Sequence, residues 1–175
     1  MNLLLIFIIA VSLSMDAFSL SLAYGTLSIS VKERYFLSTL VGVFHFFMPI
    51  IGNMIGNRIF ELFKFDPDFL VFIILCFIGI QMVFQSFKNE NVKRLKFFEF
   101  FFFAFAVSID SFSVGIGLFN ITKNYIISAF VFSLCSFLFT YFGLLLGNKI
   151  KKSVGKISTV IGGAILIIIG LFYLV

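Results

Sequence analysis

Residues 10–22 read AVSLSMDAFSLSL and residues 104–116 read AFAVSIDSFSVGI. Both stretches carry Ser-x-Asp-(Ala/Ser)-Phe-Ser, so Asp16 and Asp110 hold the same place in two copies 94 residues apart. Each aspartate sits inside a run of apolar residues long enough to cross a bilayer as a helix, which takes about 20 residues. A carboxylate at that depth costs about 2.5–3.5 kcal/mol on insertion scales. Two of them are an unexplained burden unless they meet each other, an ion or a water-filled path. The plainer reading is a protonated Asp hydrogen-bonded to a neighbouring helix.

Working outward, the whole chain has the same character. Of its 175 residues, 61% are hydrophobic and 12% charged, and 29 are Phe. Soluble domains run near a quarter charged. Six spanning segments can be drawn, at about 2–24, 36–57, 69–87, 97–119, 125–147 and 154–175, which predicts one all-α transmembrane domain over residues 1–175. Long continuous apolar runs exclude the short alternating strands of a membrane β-barrel. The first run lacks a basic leader and contains Asp16, so it reads as a mature helix and not a signal peptide. Cys76 and Cys135 stand alone in apolar surroundings, where a free Cys acts as a small hydrophobe. The net charge of +5 does not point to nucleic acid, because the basic residues lie in short loops between spans.

Those loops orient the chain. Lys32, Arg34, Lys88, Lys93, Arg94, Lys96, Lys149, Lys151, Lys152 and Lys156 fall in the first, third and fifth connections, against Arg58, Lys64 and Lys123 in the other two. Basic loops favour the cytoplasm, so both termini are expected outside, as is the turn at Asp66-Pro67-Asp68.

The halves resemble each other beyond the Asp motifs. Gly52, Gly56, Asn57 and Arg58 align with Gly143, Gly147, Asn148 and Lys149, and more loosely 77–79 align with 161–163. With three helices in each half, repeat one (about 2–88) and repeat two (about 97–175) must enter the membrane in opposite directions. A 3+3 inverted repeat of this kind places transport sites near the midplane, between the repeats.

Helical spacing gathers polar candidates around each acid. Ser12, Asp16 and Ser19 share one side of the first helix, and Ala106, Asp110, Ser113 and Gly117 share one side of the fourth. Small residues let helices approach closely, so both faces are expected inside the bundle. Each Asp lies about 4 Å beyond the middle of its helix, at a rise of about 1.5 Å per residue. The opposed directions put Asp16 toward the cytoplasm and Asp110 toward the outside, either bracketing one ion or marking two stops on a path. His45, the single histidine, precedes Pro49 by four residues, and that proline leaves the His45 carbonyl without its helical donor. Ser136 and Thr140 stand at the equivalent positions of the second half. Asn53 lies two turns beyond His45, and Glu99 falls at the start of the fourth helix, where a solvated or Lys-paired role is the default. Carboxylate, hydroxyl and carbonyl oxygens suit Mg, Ca or Mn, and an imidazole shifts preference toward transition metals. The residues alone therefore indicate a transporter of divalent cations or one coupled to protons.

Ser-Met-Asp-Ala-Phe-Ser at 14–19, Gly-Val-Phe-His-Phe-Phe-Met-Pro-Ile-Ile-Gly at 42–52, Ser-Ile-Asp-Ser-Phe-Ser-Val-Gly-Ile-Gly at 108–117 and Ile-Gly-Gly at 161–163 together resemble the manganese efflux pump (MntP) family of the lysine exporter superfamily. The resemblance covers nearly the whole chain. It implies a secondary transporter that exports Mn²⁺ from the cytoplasm across the bacterial plasma membrane. Mn²⁺ would be the substrate and not a cofactor, the bilayer the surroundings, and a proton or another ion the coupling partner. Asp16 and Asp110 carry over as ion-path residues. The chain departs from the family pattern at His45, where Glu or Gln is usual, and at Gln81 and Gln85, where a basic residue and a Glu are usual. Alternatives are export of another divalent cation or a basic amino acid, or a non-transport role like that of a related sporulation-associated branch. An enzyme is not expected, since no nucleophile or cofactor motif accompanies the aspartates.

Overall fold

A computed structural model of the chain describes residues 3–27, 29–63, 67–87, 97–121, 124–147, 149 and 152–174. These form six α-helices, with no strand among the described residues: α1 (Leu3–Gly25), α2 (Val31–Phe63), α3 (Pro67–Ser86), α4 (Phe97–Ile121), α5 (Tyr125–Leu146) and α6 (Lys152–Phe172). All but α2 run 20 to 25 residues. That length matches a hydrocarbon core of about 30 Å at about 1.5 Å per residue. Five helices are long and apolar enough to cross a membrane, while the apolar stretch of α3, Asp68–Phe84, is shorter.

Helix α2 departs most from expectation. It spans 33 residues and runs through Pro49, beginning five residues before the expected start at 36. The cause is a capping box at Ser30. The Glu33 backbone N–H donates to Ser30 Oγ (3.2 Å), and the Ser30 N–H donates to Glu33 Oε2 (2.8 Å). This reciprocal pair satisfies donors that the first helical turn cannot satisfy internally. Lys32 and Arg34, read from sequence as loop residues, therefore lie on the first turns of a helix. The Asp66-Pro67-Asp68 turn and the loop residues Lys64, Lys88, Lys93, Arg94, Lys96, Lys123, Asn148 and Lys151 fall wholly or partly outside the described residues.

The broadest helix packings are α2 on α4, α1 on α5, α3 on α6, α2 on α5 and α1 on α6, with a lighter contact between α3 and α4. Two apolar cores form inside this arrangement. One joins Ile6, Ile9 and Leu13 of α1 to Leu75, Ile78 and Met82 of α3 and to Leu166 of α6, and extends to Val114 and Phe132. The other joins Ala17 and Tyr24 of α1 to Leu37 and Val41 of α2 and to Phe100, Ala104 and Val107 of α4. Phe47, Phe77, Phe84, Phe98 and Phe102 project outward, where lipid tails replace water as their neighbours. Cys135 is buried in the first core, and the Cys76 thiol lies 3.9 Å from the Ile167 carbonyl it donates to. Both are free thiols, as their apolar surroundings predict.

Candidate ion path

The repeated Asp motif presents two faces. In the first copy, Ser14 and Phe18 belong to the side of α1 that packs on α5. Ser14 Oγ lies 3.1 Å from Ser136 Oγ, and a Cβ added at Gly143 would stand 2.7 Å from the Phe18 carbonyl oxygen. One turn on, a Cβ at Gly147 would stand 2.5 Å from the Leu22 carbonyl. In the second copy, Gly52 is held against the Phe112 carbonyl and Gly56 against that of Ile116. Only glycine permits backbones this close, and each of these four positions would clash with any larger residue. Asp16 stands two residues from Phe18, and Asp110 two residues from Phe112. Residues two apart on a helix do not share a face. Both acids therefore point away from the glycine seams, each in the same relation to its own seam.

Depth is matched as well as direction. Asp16 stands between Leu13, in one core, and Ala17, in the other. Asp110 stands between Val107 and Val114, which divide between the cores in the same way. The carboxylates thus occupy the level where one apolar core gives way to the next. Asp16 is 8% exposed and Asp110 is half-buried. Among the described residues no three His, Cys, Asp or Glu side chains gather as a metal cluster. A cation held by either carboxylate would complete its shell with hydroxyl, carbonyl or water oxygens, which suit hard divalent ions.

The remaining candidates divide between these two environments. Ser12 is fully buried and its hydroxyl donates to the Ile8 carbonyl at 2.8 Å. Ser19 lies against α6, its Oγ 3.0 Å from where a Cβ of Gly155 would be. Ser113 is half-buried, with a long 3.4 Å bond to the Ile109 carbonyl. Ala106, expected inside the bundle, is exposed. Its side of α4 meets α3 only lightly, through Val71 and Ile74 beside Gly117, and these branched side chains keep the helices from the intimate contact that glycine allows.

His45 is 1% exposed and Asn53 5% exposed. His45 shares a stripe of α2 with Pro49, Gly52 and Gly56, and the Pro49 backbone is pressed against Gly115 of α4. The stripe meets the side of α4 opposite Asp110. His45 Nδ1 lies 2.9 Å from the Val41 carbonyl. A carbonyl only accepts, so Nδ1 carries a proton in this contact.

Sequence reasoning singled out Ser136 and Thr140 only as repeat counterparts of His45 and Pro49, and read no hydroxyl as part of a seam. Ser14, Ser21, Ser111, Ser136 and Thr140 are all fully buried. Ser14 pairs with Ser136, and Ser108 donates to the Ala104 carbonyl. The hydroxyls of Ser21, Ser111 and Thr140 have no hydrogen-bond partner. The signal lay in the motif itself, whose first Ser precedes Phe by four residues and so shares its face.

A six-helix bundle whose buried carboxylates lie between two apolar cores is a multi-pass membrane protein. A family model described as "Putative manganese efflux pump" (Mntp) matches residues 28–174, and the chain belongs to that family. It is 36% identical over 169 residues to the "Putative manganese efflux pump MntP" of Bacillus thuringiensis (strain Al Hakam), covering 95% of this chain and 93% of the relative. The protein of the same description from Bacillus cereus (strain ATCC 10987 / NRS 248) is 35% identical over the same length and shares. No solved structure matches the chain.

Proposed function

We propose that this chain is a secondary exporter that carries Mn²⁺ out of the cytoplasm, with Asp16 and Asp110 as the carboxylates of the ion path. One observation carries the reading: both acids stand at the level between the two cores, on the sides of α1 and α4 turned away from the α1–α5 and α2–α4 seams. Helix partners exchange between the halves, α1 with α5 and α4 with α2. That exchange supports the 3+3 inverted repeat, whose halves could rock about a fixed central level. Ser12, Ser19 and Ser113 flank the acids and supply neutral oxygens. His45 and Asn53 are buried on α2, and His45 shares the side of that helix that carries Gly52 and Gly56.

The test is cellular manganese in a manganese-sensitive strain lacking its own exporter. Cells carry wild-type chain, Asp16→Asn or Asp110→Asn at matched membrane levels. Wild type should lower intracellular manganese, and either substitution should abolish the effect. Unchanged manganese with wild type would remove Mn²⁺ as the substrate, and active mutants would remove the aspartates from the path.

A further inference from the structure

Between α2 and α5, on the surface that faces lipid, lies an open groove of about 190 Å³ lined by Thr39, Gly42, Val43, Ser133, Leu134 and Phe137. It forms because Gly42 has no side chain. A Cβ there would stand 3.2 Å from Phe137 Cβ and 3.3 Å from the Ser133 carbonyl, so the helices come together at the groove floor and leave a trough above it. The trough is mostly apolar, with Thr39 and Ser133 as its polar lining, and it ends in a polar group. Phe137 stacks on Tyr141, with centroids 6.3 Å apart and planes at 14°. The Tyr141 hydroxyl donates to that of Tyr35 at 3.4 Å, and the Arg34 guanidinium lies over the Tyr141 ring, 6.0 Å from its centroid. Arg34 Nε is buried and has no hydrogen-bond partner. Glu33, the acid beside it, is engaged by the Ser30 cap.

We propose that this groove is a binding site for an anionic phospholipid, with an acyl chain in the trough and the phosphate at Arg34. Tyr residues favour the membrane–water interface, where one end of the ring is apolar and the other wet. The tyrosine pair therefore sets headgroup depth, and the trough runs from it into the hydrocarbon. Arg34 brings a permanently charged planar guanidinium suited to phosphate. Lys32, a turn of helix before Tyr35, adds positive charge at the same end. A zwitterionic lipid would fill the trough equally well but gain less from this charge.

The test is native mass spectrometry of the full chain released from micelles containing equimolar phosphatidylglycerol and phosphatidylcholine with identical acyl chains. Wild type should retain phosphatidylglycerol over phosphatidylcholine by about fivefold, the factor one basic residue contributes at an anionic membrane surface. Arg34→Gln should lower the ratio toward one, with Lys32 sustaining what remains. Val43→Trp and Thr39→Trp, both at exposed positions, should fill the trough and remove the adduct, whereas Ile161→Trp on the exposed side of α6 should leave it. Equal retention of both lipids by wild type, or an unchanged ratio in Arg34→Gln, would overturn the proposal. A dimer of wild type that Val43→Trp dissociates would overturn it in favour of a second copy in the groove.

Discussion

Helix α1 is gripped on two sides, by α5 and by α6, whereas α4 is gripped by α2 and only lightly by α3. The two glycine seams are near copies of each other, so the difference lies entirely in the other contact. On α6, Gly155 and Gly162 face α1. A Cβ at Gly162 would stand 2.5 Å from the Ser12 carbonyl, and one at Gly155 would stand 3.2 Å from Ser19 Cα. Counting back by the offset that aligns 161–163 with 77–79, α3 carries Val71 and Ile78 at those places. Branched side chains there hold α3 off α4, leaving Ala106 exposed and Ile109 45% exposed. One acid is thereby sealed and its counterpart is partly open. Near-identical motifs reach different accessibility through the helix that stands beside them.

The comparison breaks most decisively at the seams. Gly52→Leu and Gly143→Leu should each destabilise the fold by about 3 kcal/mol or more, since the new side chain meets backbone that cannot yield. Denaturation of purified protein in mixed micelles reads this. A large loss in one variant and none in the other would show that the seams are not equivalent.

Accessibility of the acids is the next place to press. In a chain whose two native cysteines are replaced by alanine, Asp110→Cys should react with a water-soluble thiol reagent about tenfold faster than Asp16→Cys, by analogy with the spread of local opening free energies. Gly162→Val, by prying α6 from α1, should narrow that gap. Equal rates in the unmodified background would mean that the α3–α4 gap does not admit water to Asp110.

The smallest effect distinguishes paired from unpaired hydroxyls. A double-mutant cycle on Ser14→Ala and Ser136→Ala should give a coupling of about 0.6 kcal/mol, the average for such contacts between membrane helices. Thr140→Val should be near neutral, because its hydroxyl has no partner to lose.

Much of this was legible beforehand, for identifiable reasons. Long apolar runs can form only helices in lipid, so all six helices were readable. The Asp motif placed Asp16 and Asp110 at equivalent points, because a polar pattern stands out against Phe and Ile. The start of α2 was missed because hydropathy says nothing about capping, although Ser30 and Glu33 have the right spacing. The exposure of Ala106 was missed for another reason. A lipid-facing side chain is as apolar as one in the core, so periodicity cannot tell which face of α4 meets a neighbour. The Ser14–Ser136 pair needed knowledge of which helix stands opposite α1, which no local pattern contains.

The stacked cores have an electrical consequence. Packed hydrocarbon is an insulator, so a voltage across the bilayer falls over whichever core separates the acids from water. Moving one elementary charge through 100 mV costs about 2.3 kcal/mol, and a divalent ion therefore about 4.6 kcal/mol. With both carboxylates ionised and one divalent ion between them, the loaded centre carries no net charge and crosses the field almost freely. In the proposed export cycle the voltage then acts on the return of the empty, doubly negative centre toward the cytoplasm, and an inside-negative potential would oppose that return, so another driving force would have to supply it.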